Sequence, residues 1–155
     1  MIIWRLCSSR YANQPLNGEG ARLYGGRWSH RGIPIAYTAS SLALAALELL
    51  VHIDHDVAPS NLVSIEVTVP PSVLIERVKI SSLPKNWRAY PAPEHLREIG
   101  SAWAMGKRSL LLEVPSVVVP QERNYLVNPQ HPEFTKLKIG RLKPFEFDPR
   151  LFNRT

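Results

Sequence analysis

Between Gly32 and Val51 only one residue, Glu48, is an Asp, Glu, Lys, Arg or His, and it is set among Ala45, Ala46, Leu47, Leu49, Leu50 and Val51. A helix apolar all round is expected to be buried. An ionised carboxylate is costly to bury unless it is paired or hydrogen-bonded. Something must therefore compensate Glu48, or it must open into a cleft, and a carboxylate in such surroundings is a candidate for a functional site. The plainer alternative is a solvent-facing stripe, because Glu48 shares a helical face with Ser41, Ala45 and His52.

A second constellation is Tyr24-Gly25-Gly26-Arg27-Trp28. Paired glycines let backbone approach a ligand closely. Arg27 supplies a planar, permanently charged fork suited to phosphate or carboxylate, and Tyr24 and Trp28 could stack on a flat ring. The set suits a nucleotide-like ligand, against the alternative of a glycine turn with an exposed arginine and a core tryptophan. The spacing matches neither a P-loop nor a Rossmann fingerprint. Ser116 is the one hydroxyl in the apolar, proline-bounded stretch 114–120. It lacks a nucleophile-elbow context, so it either hydrogen-bonds a ligand or satisfies nearby backbone. Tyr37 is a packed strand aromatic or a stacking platform. The five histidines show no zinc-ligand spacing, and the His-Ile-Asp-His-Asp run from His52 could mimic a metal cluster but sits at a helix end, where polar residues are ordinary.

The elements that must position these groups are short. The spacing predicts strands over 2–6, 33–38, 62–69, 73–78, 110–114, 117–119 and 125–128, and helices over 42–52 and 93–104. Residues 13–32, with five glycines, read as a long functional loop. In the strand over 62–69, Val63, Ile65, Val67 and Val69 fall on one face; in the second helix Leu96, Ile99 and Trp103 form one stripe. Near the end Phe145 and Phe147 alternate. Many short strands with two or three helices indicate an α+β fold, and 155 residues with 45% hydrophobic content indicate one domain over 1–155. One cysteine excludes a disulfide framework. The longest apolar run has six residues, far short of the ~18–20 that span a bilayer. With no secretory signal at the start, a cytoplasmic protein with no membrane partner is expected.

The net charge of +6 is uneven: residues 1–77 hold six arginines against six acids, and residues 78–155 hold thirteen basic against seven acidic residues. Such an excess suits an acidic partner, an anionic small molecule or nucleic acid, but the basic residues are scattered and no nucleic-acid-binding signature is present.

Two stretches carry a resemblance: Gly-Glu-Gly-Ala-Arg-Leu-Tyr-Gly-Gly-Arg-Trp from Gly18, and Ile-Ala-Tyr-Thr-Ala-Ser-Ser-Leu-Ala-Leu-Ala-Ala-Leu-Glu from Ile35. Together with Leu83-Pro84-Lys85-Asn86-Trp87-Arg88 and Asn124-Tyr125-Leu126-Val127-Asn128, they resemble the RES-domain family, named for an arginine, a glutamate and a serine that match Arg27, Glu48 and Ser116. The resemblance spans nearly the whole chain; His30, where the family often has another polar residue, is a small departure. It implies a fold similar to ADP-ribosyltransferase toxins and a toxin of a bacterial toxin–antitoxin pair acting on NAD. It also implies an Xre-type antitoxin that covers the active site and makes the DNA contacts. The family's functional residues carry over to Arg27, Tyr37, Glu48 and Ser116. Arg27 would hold the pyrophosphate, Tyr37 pack on nicotinamide, and Ser116 position nicotinamide or ribose. Glu48 would favour the oxocarbenium-like charge that develops as the N-glycosidic bond breaks. NAD is the substrate, and neither a metal nor a further cofactor is implied. The acceptor stays open between water, phosphate and a protein side chain, the last being mono-ADP-ribosylation. A non-enzymatic basic binding module is the alternative of another class.

Overall fold

The structure, a computed structural model, describes residues 1–53 and 58–152. Its frame is a single mixed sheet in the order β4-β5-β6-β2-β1-β3-β7, with β8 also paired on β3. In chain order the strands are β1 (Ile2–Ser8), β2 (Ala36–Ala39), β3 (Leu62–Thr68), β4 (Ile75–Arg77), β5 (Leu111–Pro115), β6 (Arg123–Val127), β7 (Lys138–Ile139) and β8 (Lys143–Phe145). Among the described pairings only β4 with β5 is parallel. The helices are α1 (Glu19–Tyr24), α2 (Leu42–Leu50) and α3 (Glu94–Gly106). This is the α+β architecture that the short-strand pattern predicts.

The alternation in β3 is realised. Ile65, Val67 and Val69 join Ile3 and Cys7 of β1 in one core, while Leu62 faces the opposite side with Leu6, Leu44 and Ala45. On that second side lies α2. Ser41 caps it, its hydroxyl accepting the Leu44 N–H at 3.1 Å, a contact of about 1 kcal/mol. The third core packs α3 through Leu96, Ile99 and Trp103 onto Trp28, Trp87, Leu112, Val114 and Leu126. Gly100 is the point of closest approach: a Cβ there would lie 1.9 Å from the Trp28 carbonyl oxygen. Although alanine favours helix, the clash with backbone outweighs propensity. Gly100→Ala is therefore expected to destabilise the fold by about 1–3 kcal/mol in denaturant unfolding; an unchanged midpoint would contradict the packing.

Four expectations are corrected. Residues 13–32 are not all loop, because α1 forms within them. Its start is held by the Asn17 side chain, which accepts the Glu19 N–H at 3.0 Å, and by the Arg22–Glu19 ion pair; Gly18 and Gly20 masked that short helix by lowering its propensity. Residues 117–119 are a bend, not a strand, because the Ser116 hydroxyl captures the Val118 and Val119 N–H groups at 3.1 and 2.9 Å. The strands expected over 33–38 and 73–78 are shorter or shifted, forming only at Ala36–Ala39 and Ile75–Arg77. Finally, α2 is not buried all round. It rests on the sheet through Leu44 and Ala45, while Leu47 and Val51 are 42% and 54% exposed, since a helix on one sheet face has only one side to bury. The acidic part of the run after His52 lies outside the described residues. No helix among the described residues is long and apolar enough to cross a membrane.

Candidate active site

Glu48 sits in the last two turns of α2, half-buried above the end of the sheet. Its Oε1 accepts two short hydrogen bonds, from the Ser116 hydroxyl at 2.6 Å and from Asn124 Nδ2 at 2.6 Å. These are the charge-assisted lengths expected at a carboxylate. The arrangement saturates Ser116: its one proton goes to Glu48, and its lone pairs accept the Val118 and Val119 N–H groups. Both described bonds converge on Oε1, and Glu48 lines a cleft, so the other oxygen is the one left to meet a ligand. The burial problem that the sequence poses is solved by two donors distant in sequence, one on β6 and one in the bend after β5.

Arg27 reaches the same cleft from the loop after α1. Gly25 adopts φ +71°, and a Cβ on Gly26 would lie 2.5 Å from the Tyr37 hydroxyl. That closeness lets the Tyr37 oxygen accept the Trp28 N–H at 3.0 Å and pair with the Ser29 hydroxyl at 3.0 Å. Tyr37 on β2 thereby straps the arginine loop down. Arg27 Nη1 donates to the carbonyls of Trp87 and Ala89, both at 3.0 Å. Burial lowers the Arg27 guanidinium from its ordinary value, the Glu48 carboxylate pulls it back up, and Arg97 lowers it. It stays a cation regardless. Burial raises the Tyr37 phenol, against the opposing effect of its bonds with Ser29 and Trp28, so it is neutral near pH 7.

The cleft has a volume of about 1340 Å³, room for a dinucleotide, and Glu48, Arg27, Tyr37, Tyr24 and Asn124 all line it. Its walls carry further cations, Arg31, Arg88 and Arg97. Arg88 donates to the Val117 carbonyl at 3.1 Å, and Arg97 pairs with Glu94 at 3.3 Å, as does His30. Tyr24 and Tyr90, 67% and 85% exposed, stand at the cleft. A fastened carboxylate facing a guanidinium can hold a polyol and an anionic linker together, and can stabilise positive charge appearing between them.

Two expected roles change. Ser116 is fully buried and is not a cleft-lining side chain; its hydroxyl is spent on Glu48, so it acts on the site from behind. Trp28, offered by the sequence as a stacking ring or a core tryptophan, borders the cleft but is 3% exposed and packs in the α3 core, leaving Tyr24 as the exposed ring of that motif. Replacing Ser116 by alanine removes one donor to Glu48 and the acceptor for two N–H groups. Ser116→Ala is therefore expected to lose about 1–3 kcal/mol of stability and to cut turnover by about 10–100-fold through a loosened carboxylate, read as unfolding midpoint and initial rate. Full activity in a folded variant would separate Ser116 from the site.

Sequence reading missed Asn124 and Arg5. The expected strand began at residue 125, one short of Asn124. Arg5 lines the cleft and donates to the Tyr37 carbonyl at 2.9 Å. As a lone charge in an apolar strand it carried the same signal as Glu48.

A family profile described as the RES domain matches residues 2–148. The chain belongs to the RES-domain family. Among its relatives, the "Prs ADP-ribosylating toxin" of a Sphingobium species is 40% identical, over 97% of this chain and 96% of the relative. The "Toxin Res" of Yersinia enterocolitica is also 40% identical, over 97% of this chain and 99% of its own length. The crystal structure of the Mycobacterium tuberculosis MbcT–MbcA toxin–antitoxin complex holds a chain that superposes with a TM-score of 0.70 at 17% identity, covering 94% of this RES protein and 84% of that chain. At that identity the likeness speaks for the fold alone.

Proposed function

We propose that this RES protein is the toxin of a toxin–antitoxin pair and cleaves the nicotinamide–ribose bond of NAD, with water or phosphate as acceptor. The observation that carries the reading is Glu48, fastened through Oε1 by Ser116 and Asn124 inside a cleft that also presents Arg27. The names of the RES relatives, and a similarly folded chain crystallised in a toxin–antitoxin complex, support the biological setting. An antitoxin covering this cleft follows from the same reading.

In this mechanism Arg27 holds the pyrophosphate and the Tyr37 ring packs beside nicotinamide. The bond between the ribose anomeric carbon and the ring nitrogen breaks, and its electron pair leaves with nicotinamide, which departs neutral. The ribose is left as an oxocarbenium-like cation, which the free oxygen of Glu48 stabilises or which it orients through a ribose hydroxyl. A water oxygen then bonds to the anomeric carbon and releases a proton to solvent, or an anionic phosphate oxygen bonds there with no proton to lose. A neutral leaving group needs no strong general acid, so one carboxylate suffices.

The test is incubation of purified, antitoxin-free protein with NAD. Nicotinamide release is expected; its absence would sink the reading. A second acceptor is favoured by one observation, the description of a 40% identical relative as ADP-ribosylating. Labelled NAD offered with cell lysate separates the two: label on a protein band supports transfer, and free ADP-ribose or its phosphate supports cleavage.

A further inference from the structure

Buried asparagines ordinarily satisfy both ends of the amide, and Asn128, just past the end of β6, shows how. Asn128 donates from Nδ2 to the Ala104 carbonyl at 2.8 Å and accepts the Gln130 N–H on Oδ1 at 3.0 Å. Asn124, four residues earlier on β6, does not follow that pattern. Its Nδ2 donates to Glu48 at 2.6 Å, and its Oδ1 is buried without a hydrogen-bond partner. An ionised carboxylate only accepts, so Glu48 forces the nitrogen toward itself and leaves the oxygen stranded. An orphaned buried acceptor weakens a fold, so this side chain is poorly explained as a stabilising one.

Its place in the sheet gives the reason. Asn124 lies opposite Ala39 of β2 and Val114 of β5, in the row of the sheet beneath α2, and it lines the cleft. Ser116 approaches the same Glu48 oxygen from the buried side. Two donors from different elements on one oxygen fix the rotation of the carboxylate, which a single donor does not.

We propose that Asn124 is a positioning residue: with Ser116 it locks Glu48 Oε1, so that Oε2 is presented to the substrate, at the expense of its own unpaired oxygen. This deepens the NAD-cleavage reading and rests on it. Because the role lies in orienting a group that acts on the transition state, its loss appears in kcat and not in KM.

The test uses the full chain freed of antitoxin. Asn124→Leu removes the donor and the stranded acceptor together; Asn124→Asp keeps the shape and replaces the donor with an acceptor. Both are expected to lower kcat for nicotinamide release by about 10–100-fold, with KM within about threefold. Asn124→Leu removes the orphaned acceptor together with the donor but leaves Glu48 Oε1 one bond short, so its melting midpoint is expected to fall, by less than in Ser116→Ala, with the protein still folded at the assay temperature. Unchanged kcat in both variants, or a kcat that falls only in step with unfolding, would overturn the role. A second readout needs no substrate. The Asn124 side-chain amide protons, followed by proton–nitrogen NMR, should show one strongly downfield resonance in the wild type that returns to the free-amide range in Glu48→Ala. A resonance indifferent to Glu48 overturns the positioning role even if NAD is cleaved. A resonance that moves, in a protein that releases no nicotinamide, leaves the clamp standing and sinks the NAD reading instead.

Discussion

Glu48→Gln is expected to reduce nicotinamide release from NAD by at least about 10³-fold while the protein stays folded. The geometry gives the reason for both halves. The glutamine carbonyl can take the place of Oε1 and still accept the Ser116 hydroxyl and Asn124 Nδ2, each now 2.6 Å from the carboxylate. That orientation puts the amide nitrogen where the free carboxylate oxygen was. A negative charge facing the developing ribose cation is thus replaced by a dipole with its positive end outward. Removing one preorganised electrostatic group costs about 10²–10³ in rate, and reversing its polarity adds to that. Circular dichroism and a melting midpoint near the wild type are expected alongside the loss. Turnover within threefold of wild type would remove Glu48 from the mechanism.

Arg27→Ala is expected to act on binding as well as on rate. The guanidinium is half-buried and anchored by Nη1 on the Trp87 and Ala89 carbonyls, which holds the rest of its fork in the cleft. Charge-assisted hydrogen bonds contribute about 1.5–3 kcal/mol each, so losing a bidentate grip on a pyrophosphate should lower kcat/KM by about 10²–10³, with KM raised. Arg27→Lys keeps the charge without the planar fork and should fall between the two. The measurement is a full rate-against-NAD curve for each protein. An alanine variant with wild-type KM would show that the pyrophosphate lies elsewhere, and Arg88 or Arg97 on the same wall would be the next to replace.

The two large effects differ in how far local sequence foretells them. Glu48 declared itself through contrast with its neighbours, because the penalty for an unpaired charge in apolar surroundings is a local property. The helix that carries it was equally legible: Ser41 starts it as a cap, and the apolar run propagates it as far as Leu50. Arg27 declared itself through the glycines beside it, and the alternation in β3 assigned its core face correctly. Ser116 and Tyr37 stood out as a lone hydroxyl and a strand aromatic, and the resemblance to RES proteins gave them roles, but not what they touch.

What only the tertiary structure decided is the set of partners. Ser116 and Asn124 are 68 and 76 residues from Glu48 along the chain. Periodicity reports which side of its own element a residue occupies and says nothing about which elements become neighbours. The order β5-β6-β2 brings the serine bend and the asparagine strand beneath α2, and the Tyr37 hydroxyl ties the arginine loop to the same strand group. Ser116 therefore reads in sequence as either a ligand contact or a partner for nearby backbone, and in space it caps two N–H groups and supports Glu48; Trp28 reads as either a stacking ring or a core residue, and the packing places it in the core. A charge that needs compensation can be recognised from one dimension; the groups that compensate it are chosen by the packing of the whole sheet.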